Sequence, residues 1–341
     1  VAGPADPALT IDDVKLPTDH SNPHVRRLFS FWAPTQSTMR GWAMASVVVN
    51  AGITVTGAGV RVTASGLGCP TWPQCTPDSF IPVAHPEVDP LNMAVEFGNR
   101  LLTFLVLAVG VACVLSAWRM VPRRRSLVRL ALLQPAGILF QALWGGLVVS
   151  TMLNPLTVGV HYLASSALIA ACWMLYARAG EGDAPVRRVA HRDVRRLGHV
   201  LLAAVFALLV AGVVVSGTGP HSGDEMASRF DLDIETVARL HADIAYVVAG
   251  LTFALLFALH VTKSARPARR AALGLFVVVL LQGVIGYTQW FLAVPAVLVL
   301  LHVVGSTLVW IGALRAVTSL RTRDPEPAPA GRSPAEAAAA V

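Results

Sequence analysis

The chain has 341 residues, of which 55% are hydrophobic and only 14% charged. Soluble globular domains carry roughly 25% charged residues, so this composition excludes an ordinary water-soluble enzyme and points to a membrane. A net charge of +7 would suit nucleic acid if it formed one basic face. The arginines instead sit in short clusters between apolar runs, as orientation signals do, and no nucleic-acid partner is expected.

Residues 1–40 are polar and Pro-containing, lack a signal-peptide apolar core, and are expected to form a cytoplasmic N-terminal tail. Apolar runs follow at 41–62, 94–118, 127–149, 157–177, 198–217, 237–262, 271–291 and 295–314. Each is near the roughly 20 residues that cross about 30 Å of hydrocarbon, so eight transmembrane helices are predicted. The short link at Ala293–Pro295 makes the last two a hairpin. Arg119 and Arg123–Arg125 follow the second run, Arg178 to Arg196 the fourth, and Lys263 to Arg270 the sixth. Asp78, Glu87 and Asp89 follow the first run, and Asp224, Glu225, Asp231 and Asp233 the fifth, with Arg229 the one clear cation there. Arg26, Arg27 and Arg40 precede the first span, and Arg315, Arg321 and Arg323 follow the last. The positive-inside rule then gives a multi-pass protein of the cell membrane with both termini cytoplasmic. Residues 317–341 are Pro-, Ala- and Glu-rich and are expected to be a disordered cytoplasmic tail.

The spans repeat. Gln141 precedes His161 by 20 residues, Gln282 precedes His302 by 20, and the offset between the pairs is 141; Gly145 and Gly286 share it. With one residue of slippage, Asn99 aligns with His241. Four spans per repeat is an even number, so the halves share one orientation. The predicted architecture is all-α, two tandem four-helix bundles related by a pseudo-twofold axis along the membrane normal. The first half covers 41–178, a cytoplasmic linker 179–197, and the second half 198–316.

Of ten histidines, His20, His24, His85, His191, His199, His221 and His260 fall in tails, loops or helix ends, where surface placement needs no special role. His161, His241 and His302 lie a few residues inside the outer ends of spans four, six and eight. Two imidazoles on different helices of one bundle can clamp one iron axially, so His241 and His302 are expected to hold a heme; a proton relay is the alternative. The first half has Asn99 where the second has His241, and Glu96 lies three residues earlier on the same helix face. One half thus offers two ligands, which suit electron transfer, and the other offers one, which leaves a position open for chemistry. Glu96 also has a plain reading as an acid favoured near a helix N-terminus.

The first outer loop reads Gly66-Leu67-Gly68-Cys69-Pro70-Thr71-Trp72-Pro73-Gln74-Cys75. In an oxidising compartment Cys69 and Cys75 can close a disulfide, either as a structural clip or as a redox-active pair. Cys113 and Cys172 lie within spans and are expected to be buried thiols.

Over residues 41–316 these features resemble the heme A synthase family. The Cys69–Cys75 loop resembles its first-loop cysteine motif, and Glu96-Phe97-Gly98-Asn99-Arg100 resembles the motif opening its second helix, with Asn99 in place of a histidine. The resemblance implies oxidation of a ring methyl of heme O to the formyl group of heme A. It implies a resident heme b on His241 and His302 that passes electrons, and heme O bound through His161 with Asn99 beside it and Glu96 at the reacting edge. Implied partners are membrane lipid, an electron donor of unassigned identity and the heme O-producing enzyme. A diheme cytochrome oxidising quinol, or a duplicated transporter using Glu96 and the glutamines, would be built from the same residues.

Overall fold

The computed structural model describes residues 32–83 and 88–323. Expectations for His20, His24, Arg26, Arg27, His85 and Glu87, and for the far ends of both tails, lie outside the described residues. Eight helices run α1 Gln36–Val62, α2 Pro90–Arg119, α3 Arg125–Ser150, α4 Pro155–Gly180, α5 Arg192–Thr218, α6 Ile234–Val261, α7 Arg266–Phe291 and α8 Ala296–Thr318. All eight are long and apolar enough to cross a membrane. The chain is an all-helical, multi-pass membrane protein.

The even-numbered helices start at one end of the molecule, and their starts are written locally. Asp89 caps α2 by accepting from Leu91 N and Asn92 N, Asn154 caps α4, and Asp233 caps α6. Proline occupies the first turn of α2 and α4 and directly precedes α8, where a missing N–H costs nothing. Each of α1–α4 packs on the next, with α4 closing back on α1, and α5–α8 repeat that ring. The halves meet where α1 touches α8 and where α4 touches α5 and α8. The buried core runs through this seam, with Leu168, Ile169 and Trp173 of α4 against Leu201 and Val205 of α5 and Trp310 of α8. Three polar ties cross it: Trp310 Nε1 donates to Ser166 O at 2.8 Å, Trp173 Nε1 donates to Thr318 Oγ1 at 3.2 Å, and the Tyr162 and Ser306 hydroxyls meet at 3.0 Å. Outward-facing residues such as Phe104, Phe257 and Val284 are exposed, as lipid-facing side chains must be.

Two boundaries differ from the sequence reading. Helix α1 begins at Gln36 rather than near 41, because Thr35 caps it by accepting from Thr38 N at 3.2 Å. The ordered body also passes residue 316. Helix α8 continues to Thr318, and β2 (Arg321–Thr322) pairs antiparallel with β1 (Arg187–Arg188), so the start of the expected disordered tail is stitched to the linker. Charge explains it, since Glu181 lies 3.9, 3.6 and 3.2 Å from Arg178, Arg321 and Arg323. Arg124 and Arg178 both meet Asp183 at 2.8 Å. Desolvation opposes the Asp183 charge, but hydrogen bonds from Arg178 and Arg124 outweigh it and hold the carboxyl below its ordinary range. That contribution is present at neutral pH and fades as pH falls through the depressed value. At 60% exposure the Asp183 side chain adds only a little to stability.

At the opposite end, the cysteine loop rests on the first turns of α2. A Cβ on Gly68 would stand 2.3 Å from Asn92 O and 2.8 Å from Met93 N, both backbone atoms that cannot yield. Gly68→Ala is therefore expected to unseat the loop and to destabilise the protein by roughly 1–3 kcal/mol, the usual range for overpacking. A Cβ on Gly52 of α1 would meet nothing within 4 Å, so Gly52→Ala should be neutral or slightly stabilising. Thermal unfolding of the two variants in detergent checks the contrast, and equal midpoints would contradict it.

Candidate functional site

Asn99, His161, His241 and His302 sit within about three turns of the starts of α2, α4, α6 and α8. Each faces a glycine of the helix before it. A methyl group added at Gly57 would lie 3.9 Å from Asn99 Nδ2, and one at Gly145 3.6 Å from His161 Cε1. At Gly212 it would lie 3.3 Å from His241 Cε1, and at Gly286 3.4 Å from His302 Cε1. An added Cβ would be in ordinary van der Waals contact at Gly57, Gly145 and Gly286 and slightly tight at Gly212, so each side chain lies close against a glycine backbone. Glutamine fixes the helix that carries the ring. Gln282 Nε2 donates to His302 O at 2.8 Å, Gln141 Nε2 donates to His161 O at 3.2 Å, and Gln141 also donates to Ser165 Oγ.

In the second half, the His241 and His302 rings stand 6.3 Å apart, centroid to centroid, with their planes at 61°. That gap leaves room for one metal atom between the rings at metal–nitrogen bonds of about 2 Å each. The Nδ1 atoms of His161 and His302 are buried without a hydrogen-bond partner among the described residues. An orphaned ring nitrogen in an apolar setting is costly, and a ligand that occupies the imidazole changes that balance. Among the described residues no three His, Cys, Asp or Glu side chains cluster at metal-binding distance. Two facing imidazoles at this spacing fit the two protein ligands that a heme can take.

The first half is built differently. Asn99 is not poised as a free ligand, because its Oδ1 accepts from Thr56 Oγ1 at 2.8 Å. Glu96 is buried, and both carboxylate oxygens are engaged. Oε2 accepts from Cys69 N at 2.6 Å, and Oε1 accepts from Arg100 Nη2 at 2.6 Å and Nε at 3.1 Å. Arg100 then donates to Cys69 O at 2.8 Å, Thr71 O at 3.0 Å and Gln74 O at 3.1 Å. The pair moors the loop that Cys69 and Cys75 close with a disulfide. Between the cysteines, Trp72 lies on Gly146, where an added Cβ would stand 2.6 Å from its Cδ2. Gly146 adjoins Gly145, so the loop sets an indole on α3 one residue from the glycine that faces His161.

The remaining candidates scatter. His191 caps α5, and His199 and His260 are exposed. His221 bonds Val294 O at 2.9 Å, joining two loops of the second half. Cys113 and Cys172 are free and buried, and the Cys172 thiol donates to Gln134 Oε1 at 2.7 Å. Sequence reasoning missed Trp72, the mooring role of Arg100, and Gly57 and Gly212. Gly145 and Gly286 showed through their common offset of 141 residues, whereas Gly57 and Gly212 stand 155 apart and broke the register. It also missed Arg61, at the end of α1, which donates to Ser216 O at 2.6 Å and His221 O at 2.5 Å and ties the first half to the second.

No curated protein matches the chain. A family model described as cytochrome oxidase assembly protein matches residues 40–314, from the first turn of α1 to the last turns of α8. The match spans every helix and Asn99, His161, His241 and His302, and the chain belongs to this family of cytochrome oxidase assembly proteins, the heme A synthase family.

Proposed function

We propose that the protein is a heme A synthase, a membrane oxidoreductase that converts a ring methyl of heme O into the formyl group of heme A. The observation that carries this reading is the His241–His302 pair, 6.3 Å apart across one bundle, set against the single His161 in the other. Family membership supports it, because heme A serves cytochrome oxidase assembly. Heme b, when bound, supplies one-electron storage. His241 and His302 would hold it, their rings 6.3 Å apart. His161 would hold substrate heme O, and Asn99, already bonded to Thr56, would offer it no second imidazole. Glu96 and Arg100 fix the disulfide loop so that Trp72 covers α3 beside the substrate and limits water there. Glu96 thus serves the reacting edge through the loop's position. The arginine clusters favour cytoplasmic termini in the cell membrane, with the histidine end outward. Electrons come from a membrane donor, and substrate arrives from the heme O-producing enzyme. The halves are read as related by an axis along the membrane normal.

His241→Ala and His302→Ala are each expected to abolish the low-spin heme signal of the purified protein. Full heme occupancy in both variants would overturn the ligand assignment.

Glu96→Gln and Arg100→Gln should both lower heme A output by at least about tenfold, the scale of lost positioning in an active site. Heme b content should stay normal in each. Heme extraction and chromatography read both quantities, and unchanged heme A in the two variants would remove the loop from the mechanism.

Asn99→His places an imidazole where Gly57 leaves the same clearance found at the three histidines. It should convert the heme O complex toward a six-coordinate, low-spin spectrum and slow product release, whereas His161→Ala should abolish heme O retention. A bis-histidine spectrum for heme O already present in the wild type would show that another histidine completes the site.

A further inference from the structure

At the arginine-rich end, a cavity of about 620 Å³ opens at the seam between the halves, among α1, α4, α7 and α8. Its volume lies in the range of small-molecule sites. The walls are apolar, formed by Met44, Trp173, Val278, Leu308 and Ile311. The mouth is cationic. Arg40, in the first turns of α1, donates from Nη2 to the Tyr176 hydroxyl at 3.0 Å and lies 4.9 Å over the Tyr176 ring. Arg315 stands in the last turn of α8 across the opening. Among the described residues no carboxylate lies in ion-pair range of either guanidinium. The acid that lines the cavity, Glu181, is surrounded by Arg178, Arg321 and Arg323. The mouth therefore keeps an uncompensated positive field over an apolar shaft.

We propose that this cavity binds one anionic phospholipid, its phosphate on Arg40 and Arg315 and an acyl chain in the seam. Basic pockets between membrane helices at the arginine-rich side select anionic head groups in this way. The charge pattern fits a phosphate and gives no use to the neutral head of a quinone. Depth also argues against a redox ligand, since Arg315 lies thirteen residues beyond His302 on α8, or about 20 Å along the helix. A lipid seated here bridges α1 to α7 and α8 and so holds the halves together at the end away from the histidines. The inference stands independently of any heme reading.

The test uses the full chain in detergent, read by native mass spectrometry with added phosphatidylglycerol, phosphatidylcholine or inorganic phosphate. Wild type should retain one phosphatidylglycerol per chain in preference to phosphatidylcholine, and millimolar inorganic phosphate should not displace it. Arg40→Gln with Arg315→Gln should weaken phosphatidylglycerol binding by at least about tenfold, as expected for two cations near a head group. The matching pair of lysine substitutions should keep most of the binding, which separates charge from fold. A Cβ at Gly274 would meet nothing within 4 Å, so Gly274→Leu fills the shaft without backbone strain and should expel the lipid with both arginines intact. Equal retention of the two lipids by wild type, undiminished binding in the glutamine pair or in Gly274→Leu, displacement by phosphate alone, or retention of a quinone instead would each overturn the proposal.

Discussion

In hydrocarbon every backbone polar group has to be satisfied within its own helix, because no water is present to take an unmade hydrogen bond. That constraint leaves this chain eight closed cylinders and moves its chemistry onto side chains. Interfaces rich in small residues usually let membrane helices approach each other. Here a glycine faces each of Asn99, His161, His241 and His302 from the preceding helix, once per helix pair.

The halves diverge where one ring is replaced. With His241 opposite His302, the second bundle has two imidazoles 6.3 Å apart. With Asn99 tied to Thr56, the first bundle has one imidazole and a side chain already committed to a hydrogen bond. The disulfide loop belongs only to the first half. Its seat on α2 is electrostatic, because Glu96 accepts from a loop amide while Arg100 gathers three loop carbonyls. Neither side chain is left with a bare buried charge, which is what makes an ion pair tolerable at this depth.

Coupling between the bundles is carried at both ends and along the seam. Arg61 bonds two carbonyls of the second half at the histidine end, while β1 and β2 join the linker to the end of α8 at the other. Between them Trp310, Trp173 and Tyr162 each make one polar bond across a mostly apolar contact. Such bonds add little energy in a membrane, since the separated helices also find partners, but they fix register. A fixed register keeps His161 and the His241–His302 pair at constant separation.

The spans, and the depth of the three histidines along their helices, were legible in the sequence because each rests on local spacing. Twenty apolar residues make a span in any neighbourhood, and a His seven residues into such a helix has a depth set by helix rise alone. The disulfide was legible for the same reason, with two cysteines so close in one loop. What the tertiary structure decided was everything that depends on which helix stands beside which. Glu96 and Arg100 read as a helix motif, yet their partners are backbone atoms of a loop 26 to 31 residues earlier in the chain. Trp72 looked like part of a cysteine motif until its ring was placed on Gly146, and the tail beyond 316 looked free until Glu181 gathered its arginines. Helix formation in a membrane is settled residue by residue, whereas packing between distant segments is settled by side-chain shape and charge that one-dimensional spacing does not carry.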